Sequence, residues 1–381
     1  MKGMMMHRPL RIADILTFGE ETHGDAEIVS VTVEGGIHRT TYGETAPRVR
    51  KLANGLLSLG VKIGDRVATL AWNGYRHFEL YYAISGIGAV CHTINPRLSA
   101  EQMIYIINHA GDSIICVDLT FVPILEAIKD KVPSNIKYII MTDRDHMPDT
   151  ILENVLCYEE VLEKGDSNIE WPEFPEETAS SLCYTSGTTG NPKGSLYTHR
   201  STVLHSLTAG ISFPETMRAG VRILPVVPLF HVNAWGLAYA APLVGASIIF
   251  PGPNLDGKSI FDLMDSENVF SAWGVPTVWL GLLSEIENRG RIPNGFGEAI
   301  IGGSAVPRYM VESFEKLSVS VCHAWGMTEM SPIGTNGRLS PAHSKLPMNE
   351  KIDLKVKQGR RVYGVELKIV DESGNKVPHD G

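Results

Sequence analysis

Tyr184-Thr185-Ser186-Gly187-Thr188-Thr189-Gly190-Asn191-Pro192-Lys193-Gly194 packs three glycines, four Ser or Thr hydroxyls and one lysine into eleven positions. Glycine lets the backbone come close to a ligand. Successive N–H groups and hydroxyls can surround phosphate oxygens, and a lysine adds a point charge. The stretch is not a Walker A loop, which ends in Gly-Lys-Ser/Thr; here Pro192 precedes Lys193 and Gly194 follows it. Composition alone also fits an ordinary surface turn. A second candidate is His323-Ala324-Trp325-Gly326-Met327-Thr328-Glu329, read as following a strand over 319–322. Ligands of open α/β sheets sit at the carboxyl ends of strands. There Trp325 can stack on a base, Thr328 can donate to a phosphate and Glu329 can hold Mg²⁺. The plainer alternative makes Trp325 core and Glu329 a helix cap. A third candidate, Ile301-Gly302-Gly303-Ser304-Ala305, again places glycines at a strand end. His231 follows the strand expected at 223–227, either as a pocket residue or as a hydrogen-bonded boundary histidine. Trp235 lies four residues on and shares a helical face with His231 if the segment is helical; core packing is its plain alternative. Ser195 and His199 do not form the Gly-x-Ser-x-Gly elbow of a hydrolase triad.

These residues need a scaffold of alternating strands and helices. Apolar spacing predicts a helix over 41–59, stopped by Gly60. Strands follow at 66–70, near 88–91, at 114–117 and at 138–141. Helices fall over 78–84, over 99–108 behind a Ser99/Gln102 capping box, and over 122–128. Continuous apolar strands alternating with helices indicate a parallel sheet covered on both faces. The acidic, Pro-containing stretch 143–178 reads as a long surface excursion between two halves. The second half resumes with strands at 223–227, 247–250, 270–272, 299–301 and 319–322. Period-two alternation over 365–370, followed by Asp371-Glu372-Ser373-Gly374, predicts an antiparallel hairpin.

The chain has 381 residues, 43% hydrophobic and 20% charged, with 34 basic and 43 acidic side chains for a net charge of −9. That profile is globular, and its sign disfavours a general nucleic-acid-binding surface. Five cysteines, none spaced as Cys-x-x-Cys, point to free thiols in a reducing compartment. No apolar run approaches the roughly 18 residues of a spanning helix, so a cytoplasmic location is the expectation.

Taken together, these motifs resemble the AMP-forming acyl-CoA synthetases of the adenylate-forming enzyme superfamily. Residues 184–194 are similar to its phosphate loop and 324–329 to its aromatic-Gly-x-Thr-Glu motif, with the Gly-Gly-Ser-Ala loop between. The resemblance runs from about Leu16 to Gly381. It is nearest to bacterial long- and medium-chain fatty-acyl-CoA synthetases and 3-methylmercaptopropionyl-CoA ligases, with which Trp72 to His77, His92 to Leu98 and Pro228 to Trp235 share their texture.

The resemblance implies an α/β fold: two parallel sheet-and-helix subdomains, 1–178 and 179–357, and the start of a β-subdomain at 358–381. It also implies a mobile C-terminal domain, carrying a catalytic lysine, that lies outside these residues. The 381 residues alone would then bind nucleotide but do little chemistry. Thr185, Ser186, Gly187, Thr188, Thr189, Gly190 and Lys193 would surround the ATP phosphates. Gly303, Ser304, Ala305, Ala324, Trp325, Gly326, Met327 and Thr328 would line the nucleotide pocket, Trp325 standing where a Tyr is usual and Ala324 where Gly is more frequent. His231, Trp235, Gly302, Gly303 and Pro307 would contact the acid, Trp235 gating an acyl tunnel. Lys193, His231, Thr328 and Glu329 would be catalytic, with Mg²⁺ on Glu329 and Thr185. The implied reaction joins a medium- or long-chain fatty acid to ATP as an acyl-adenylate and then to CoA, releasing AMP and pyrophosphate. The alternative acid is short or sulfur-containing, such as 3-methylmercaptopropionate. A homodimer is also implied. A peptide-synthetase-like or luciferase-like enzyme, a nucleotide-binding module without ligase activity, and a purely structural α/β protein are the competing classes.

Overall fold

A computed structural model of the chain describes residues 1, 3–185 and 190–378. Its strands in chain order are β1 (Glu27–Val31), β2 (Ile37–Thr41), β3 (Arg66–Leu70), β4 (Val90–Thr93), β5 (Ile114–Val117), β6 (Lys137–Ile140), β7 (Val155–Cys157) and β8 (Ala179–Thr185). They continue as β9 (Lys193–Thr198), β10 (Arg222–Pro225), β11 (Ser247–Phe250), β12 (Ser271–Gly274), β13 (Glu298–Ile301), β14 (Ser320–Gly326), β15 (Ile333–Asn336) and β16 (Arg360–Arg361).

Two sheets result. One runs β7-β6-β5-β3-β4-β8-β9 and the other β16-β15-β14-β13-β12-β10-β11-β1-β2. Both are parallel in their centres, with antiparallel pairing at β8–β9, β1–β2, β14–β15 and β15–β16. Central strands such as β5, β11 and β13 are buried along their whole length, as apolar strands between helical layers must be. The sheets interleave across residue 178 instead of meeting there: β8 and β9 complete the first sheet, while β1 and β2 join the second through β11.

The helix Tyr75–Gly86 is buried at every position. Its polar residues are accordingly paired: Glu79 accepts from Arg48 at 2.6 Å and from the Tyr158 hydroxyl at 2.7 Å, and Arg76 meets Glu34 at 2.6 Å and Glu159 at 2.9 Å. Burying such charges is tolerated only with partners of this kind. The helices Tyr42–Ser58 and Ala100–Ala110 open on complete capping boxes, Thr41 with Glu44 and Ser99 with Gln102.

Two expectations change. The stretch 143–178 does not run wholly over the surface. It contains edge strand β7, parallel to β6, and the helix Tyr158–Glu163, which buries Tyr158, Val161 and Leu162. The hairpin expected from the alternation over 365–370 and the turn over 371–374 reduces to a turn at Asp371–Gly374 and one bridge, Val370 to Lys376. Leu367 is 47% and Ile369 66% exposed, so the alternation has no buried face, and two strands without a covering layer are marginal in water. Among the described residues no helix is long and apolar enough to cross a membrane, and all five cysteines are buried thiols.

Candidate functional site

The carboxyl ends of β10, β12 and β13, together with the end of β14, converge on one cavity of about 180 Å³. Its wall includes His231 and Trp235 from the loop after β10, Trp273 from β12, Gly302 and Gly303 after β13, and residues 324–328. The loop after β10 is held open by Asn73. Its amide donates to the carbonyls of Pro225 at 2.8 Å and Val227 at 2.9 Å, and its Oδ1 accepts the Leu229 N–H at 2.6 Å. All of that side chain's hydrogen bonding thus goes to one backbone segment, which fixes where His231 begins.

The segment from His231 to Trp235 is not a right-handed helix. Val232, Asn233, Ala234 and Trp235 have φ of 51°, 52°, 47° and 56°, and Gly236 follows at 79°. This is a left-handed turn of four non-glycine residues, each costing roughly 1–2 kcal/mol. The expectation of a shared helical face for His231 and Trp235 therefore fails, although both side chains reach the same cavity. Gly236 is required where it stands, because a Cβ there would come within 2.6 Å of the His205 ring.

Trp235 lies across the glycine pair. A Cβ on Gly302 would be 2.9 Å from the Trp235 Cη2 and 2.9 Å from the Ala324 carbonyl oxygen. Trp235 in turn meets Trp273 edge to face, with ring centroids 6.3 Å apart. Trp325 packs over Gly334, whose missing side chain makes room for the indole. The motif expected to follow a strand is itself strand: β14 runs through Trp325 to Gly326, and the 3₁₀ turn Thr328–Met330 comes next.

The phosphate-loop candidate connects β8 to β9, with Thr185 opposite Lys193 and Tyr184 opposite Gly194. Ser186, Gly187, Thr188 and Thr189 lie outside the described residues. The side chain of Lys193 is exposed, and Gly190 has φ +100°. Four residues along β9 from Lys193, the buried Tyr197 donates its hydroxyl to the Thr328 carbonyl. One strand thereby ties the phosphate-loop candidate to the Thr328–Glu329 turn. Burial raises the Tyr197 pKa and the nearby Glu329 charge adds to the shift, so Tyr197 stays a neutral donor. Glu329 is exposed and has no hydrogen bond or ion pair among the described residues.

His231 borders a second cleft of about 460 Å³, whose wall includes Asn95, Arg97, Phe230, Leu255 and Val275. Its ring is reachable from solvent, yet desolvation by the surrounding protein, with the Arg97 charge second, lowers its pKa. A neutral imidazole is thus favoured at neutral pH, able to donate or accept beside a carboxylate.

Of the residues singled out from sequence, His231, Trp235, Gly302, Gly303, Ala324, Trp325, Gly326, Met327 and Thr328 share the cavity wall. Ser304 and Ala305 are exposed just beyond Gly303, and Pro307 caps the helix Arg308–Lys316; none of the three lines the cavity. Val232, Trp273, Pro332, Ile333 and the strut Tyr197 were not anticipated. Trp273 was within reach, because it sits at a strand end like Gly302. Pro332 and Ile333 carried no signal, since their place depends on how the chain returns after the Thr328 turn.

Residues 19–381 match the AMP-binding enzyme family. A 3-methylmercaptopropionyl-CoA ligase of Ruegeria lacuscaerulensis is 47% identical over 100% of this chain and 71% of its own length. A medium-chain-fatty-acid–CoA ligase of Ectopseudomonas oleovorans is also 47% identical, over 100% of this chain and 70% of its own. In fold, the chain is similar to a long-chain-fatty-acid-CoA ligase from Archaeoglobus fulgidus, with a TM-score of 0.83 at 21% identity over 98% of this chain and 73% of that one.

Proposed function

Because the chain belongs to the AMP-binding enzyme family and is an AMP-forming acid–CoA ligase, we propose that the 180 Å³ cavity holds the reacting carboxylate of a medium- or long-chain fatty acid. The reaction has two steps. A carboxylate oxygen attacks the α-phosphorus of ATP and pyrophosphate leaves; the CoA thiol then attacks the acyl carbon and AMP leaves. The first step builds negative charge on phosphate oxygens, so it calls for fixed donors and cations more than for a side-chain nucleophile.

The observation that carries the assignment is the convergence of His231 and Trp235 with Gly302–Gly303 and the 324–328 strand end on one cavity. In this reading His231, its pKa lowered by desolvation and by the Arg97 charge, orients the carboxylate as a neutral imidazole. Trp325 forms the adenine platform and Thr328 donates to the α-phosphate. Thr185, Gly190 and Lys193, with Ser186 to Thr189, hold the outer phosphates. Glu329, an exposed carboxylate without its own cation among the described residues, and the Thr185 hydroxyl are hard oxygen donors of the type Mg²⁺ takes alongside water and phosphate. The ion would supply charge neutralisation at the phosphates. Pro307, away from the wall, acts at most by fixing the helix that follows the Gly302 loop.

A second acid class is favoured by one feature: Trp235 lies against Gly302 and closes the cavity at a small volume. That suits a short or sulfur-containing acid such as the 3-methylmercaptopropionate of the Ruegeria relative. Acid-dependent pyrophosphate exchange by the full-length protein, run over straight-chain acids of increasing length and 3-methylmercaptopropionate, separates the two. A maximum of kcat/KM at medium or long chains supports the first reading, and a maximum at the thioether acid supports the second. Loss of exchange with every acid would sink both. A cytoplasmic homodimer completes the proposal, with sedimentation at micromolar concentrations as its check.

A further inference from the structure

The left-handed turn Val232–Trp235 contains three residues, Val232, Ala234 and Trp235, that disfavour that conformation, valine above all, and only Asn233 adopts it readily. Something outside the turn must over-determine it. The contacts converge on Asn233, which is 4% exposed. Its Nδ2 donates to Ser181 Oγ at 3.1 Å, and its Oδ1 accepts from the Tyr81 hydroxyl at 3.1 Å and from Cys183 Sγ at 3.5 Å. The single Tyr81 hydroxyl proton is shared with the Leu229 carbonyl at 2.5 Å, upstream of the same turn. The backbone N–H groups of Val232 and Asn233 approach the Cys183 sulfur. Ser181 and Cys183 are alternate residues of β8, the strand that runs directly into the Thr185 loop. No other side chain of the turn makes polar bonds to the body of the fold among the described residues.

We propose that Asn233 is a positioning residue that clamps the left-handed turn to β8, so that His231 and Trp235 are presented to the acid in fixed register with the strand carrying the phosphate loop. The role rests on the acyl-binding reading of the cavity. Asn233 touches neither acid nor nucleotide. It acts through the turn, and its loss lets the four residues relax toward right-handed conformations, which withdraws His231 and swings Trp235 off Gly302. The three acceptor and donor bonds are short-range and directional, so apolar residues of similar size do not replace them.

The test compares Asn233→Leu and Ser181→Ala with the parent in the full-length protein. Asn233→Leu should raise KM for the acid about tenfold and flatten the chain-length profile, with KM for ATP within twofold. Ser181→Ala, which removes only the amide's acceptor, should move the same constants in the same direction by less. A lesion of general stability would not split the two substrates in this way. Acrylamide quenching of tryptophan emission should rise in both variants, and the rise should vanish when Trp235→Phe is added. The quenching arm does not depend on the identity of the acid: absent exchange in the parent overturns the acyl-binding reading, and quenching then decides the clamp by itself. If Asn233→Leu does not fold, Ser181→Ala decides. Unchanged acid KM together with unchanged Trp235 quenching overturns the proposal.

Discussion

Gly302→Ala tests whether the glycine pair sets the size of the acyl cavity. Gly302 is buried and its φ is not left-handed, so the substitution adds steric demand without backbone strain. The new Cβ would stand 2.9 Å from the Ala324 carbonyl oxygen and 2.9 Å from Trp235 Cη2, with Trp235 Cζ2 at 3.4 Å. The carbonyl belongs to β14, held to β13 through the pairing of Ile301 with His323, and cannot retreat without breaking register. The indole must yield, and the space open to it is the 180 Å³ cavity. Overpacking of this kind costs about 1–3 kcal/mol, which is about 5- to 150-fold in kcat/KM for acids that fill the cavity. Each methylene that no longer fits forfeits about 0.8 kcal/mol, close to fourfold, so long acids lose more than short ones and the preferred length moves down. Pyrophosphate exchange over a series of acids reads both effects, and KM for ATP should stay within twofold. Adding Trp235→Ala removes one of the two close contacts and should recover part of the loss, giving a coupling energy above 0.5 kcal/mol. An unchanged chain-length profile, or strictly additive effects of the two substitutions, would refute the placement of Trp235 over Gly302 as the closing element.

Tyr197→Phe leaves the Thr328 carbonyl without its donor, at a cost of about 1–3 kcal/mol; KM for Mg-ATP should rise along with a fall in Tm, and an unaltered KM would remove Tyr197 as the strut of the Glu329 turn. Glu329→Gln preserves shape at an exposed position, so Tm should hold while adenylation at limiting Mg²⁺ nearly disappears; normal adenylation there would reject the metal assignment. Burial raises the pKa of Asp118 from 3.8 to about 7, against the lowering effect of the Trp72 N–H that it accepts at 2.7 Å. The folded state therefore keeps a proton that the unfolded chain releases, and this residue's contribution to stability falls as pH rises from about 4 to 7. Asp118→Asn should gain in Tm relative to the parent across that window, and parallel Tm–pH curves would show that Asp118 ionises normally.

Legibility in the sequence followed the range of the forces involved. The strand β5, the helix Val122–Ile128 and the strand β11 emerged at their observed bounds, because each is a short apolar run closed by local breakers. The Ser99/Gln102 cap was readable because all its bonds are made within four residues. The β1–β2 hairpin was not seen, since its place in the core depends on β1 pairing with β11, far along the chain. Within the site, the strand-end rule found Gly302, Gly303 and Trp325 and would have found Trp273. The rule put the end of β14 too early, as the strand continues by pairing with β15. The handedness of the turn at Val232–Trp235 was unreadable, because Val, Asn, Ala and Trp carry no common preference for it and its cause is Asn233 meeting β8. The hairpin read from 365–370 and its following turn erred the other way: a clean alternation predicts a strand only where another layer covers one face.

The exchange of strands between the two sheets sets a timetable for synthesis. Glu27 donates its backbone N–H to Ser247 Oγ, a partner 220 residues later. At ribosomal rates of about 5–20 residues per second, the β1–β2 hairpin waits on the order of 10–40 s for its neighbour to emerge. Throughout that interval Ile28 and Val29, fully buried in the finished protein, lie on an unpaired edge open to other chains. The first sheet closes only when β9 has left the ribosome, so neither half is finished before its counterpart has begun. Nascent-chain binding by holdase chaperones should therefore peak between the emergence of residue 31 and that of residue 250.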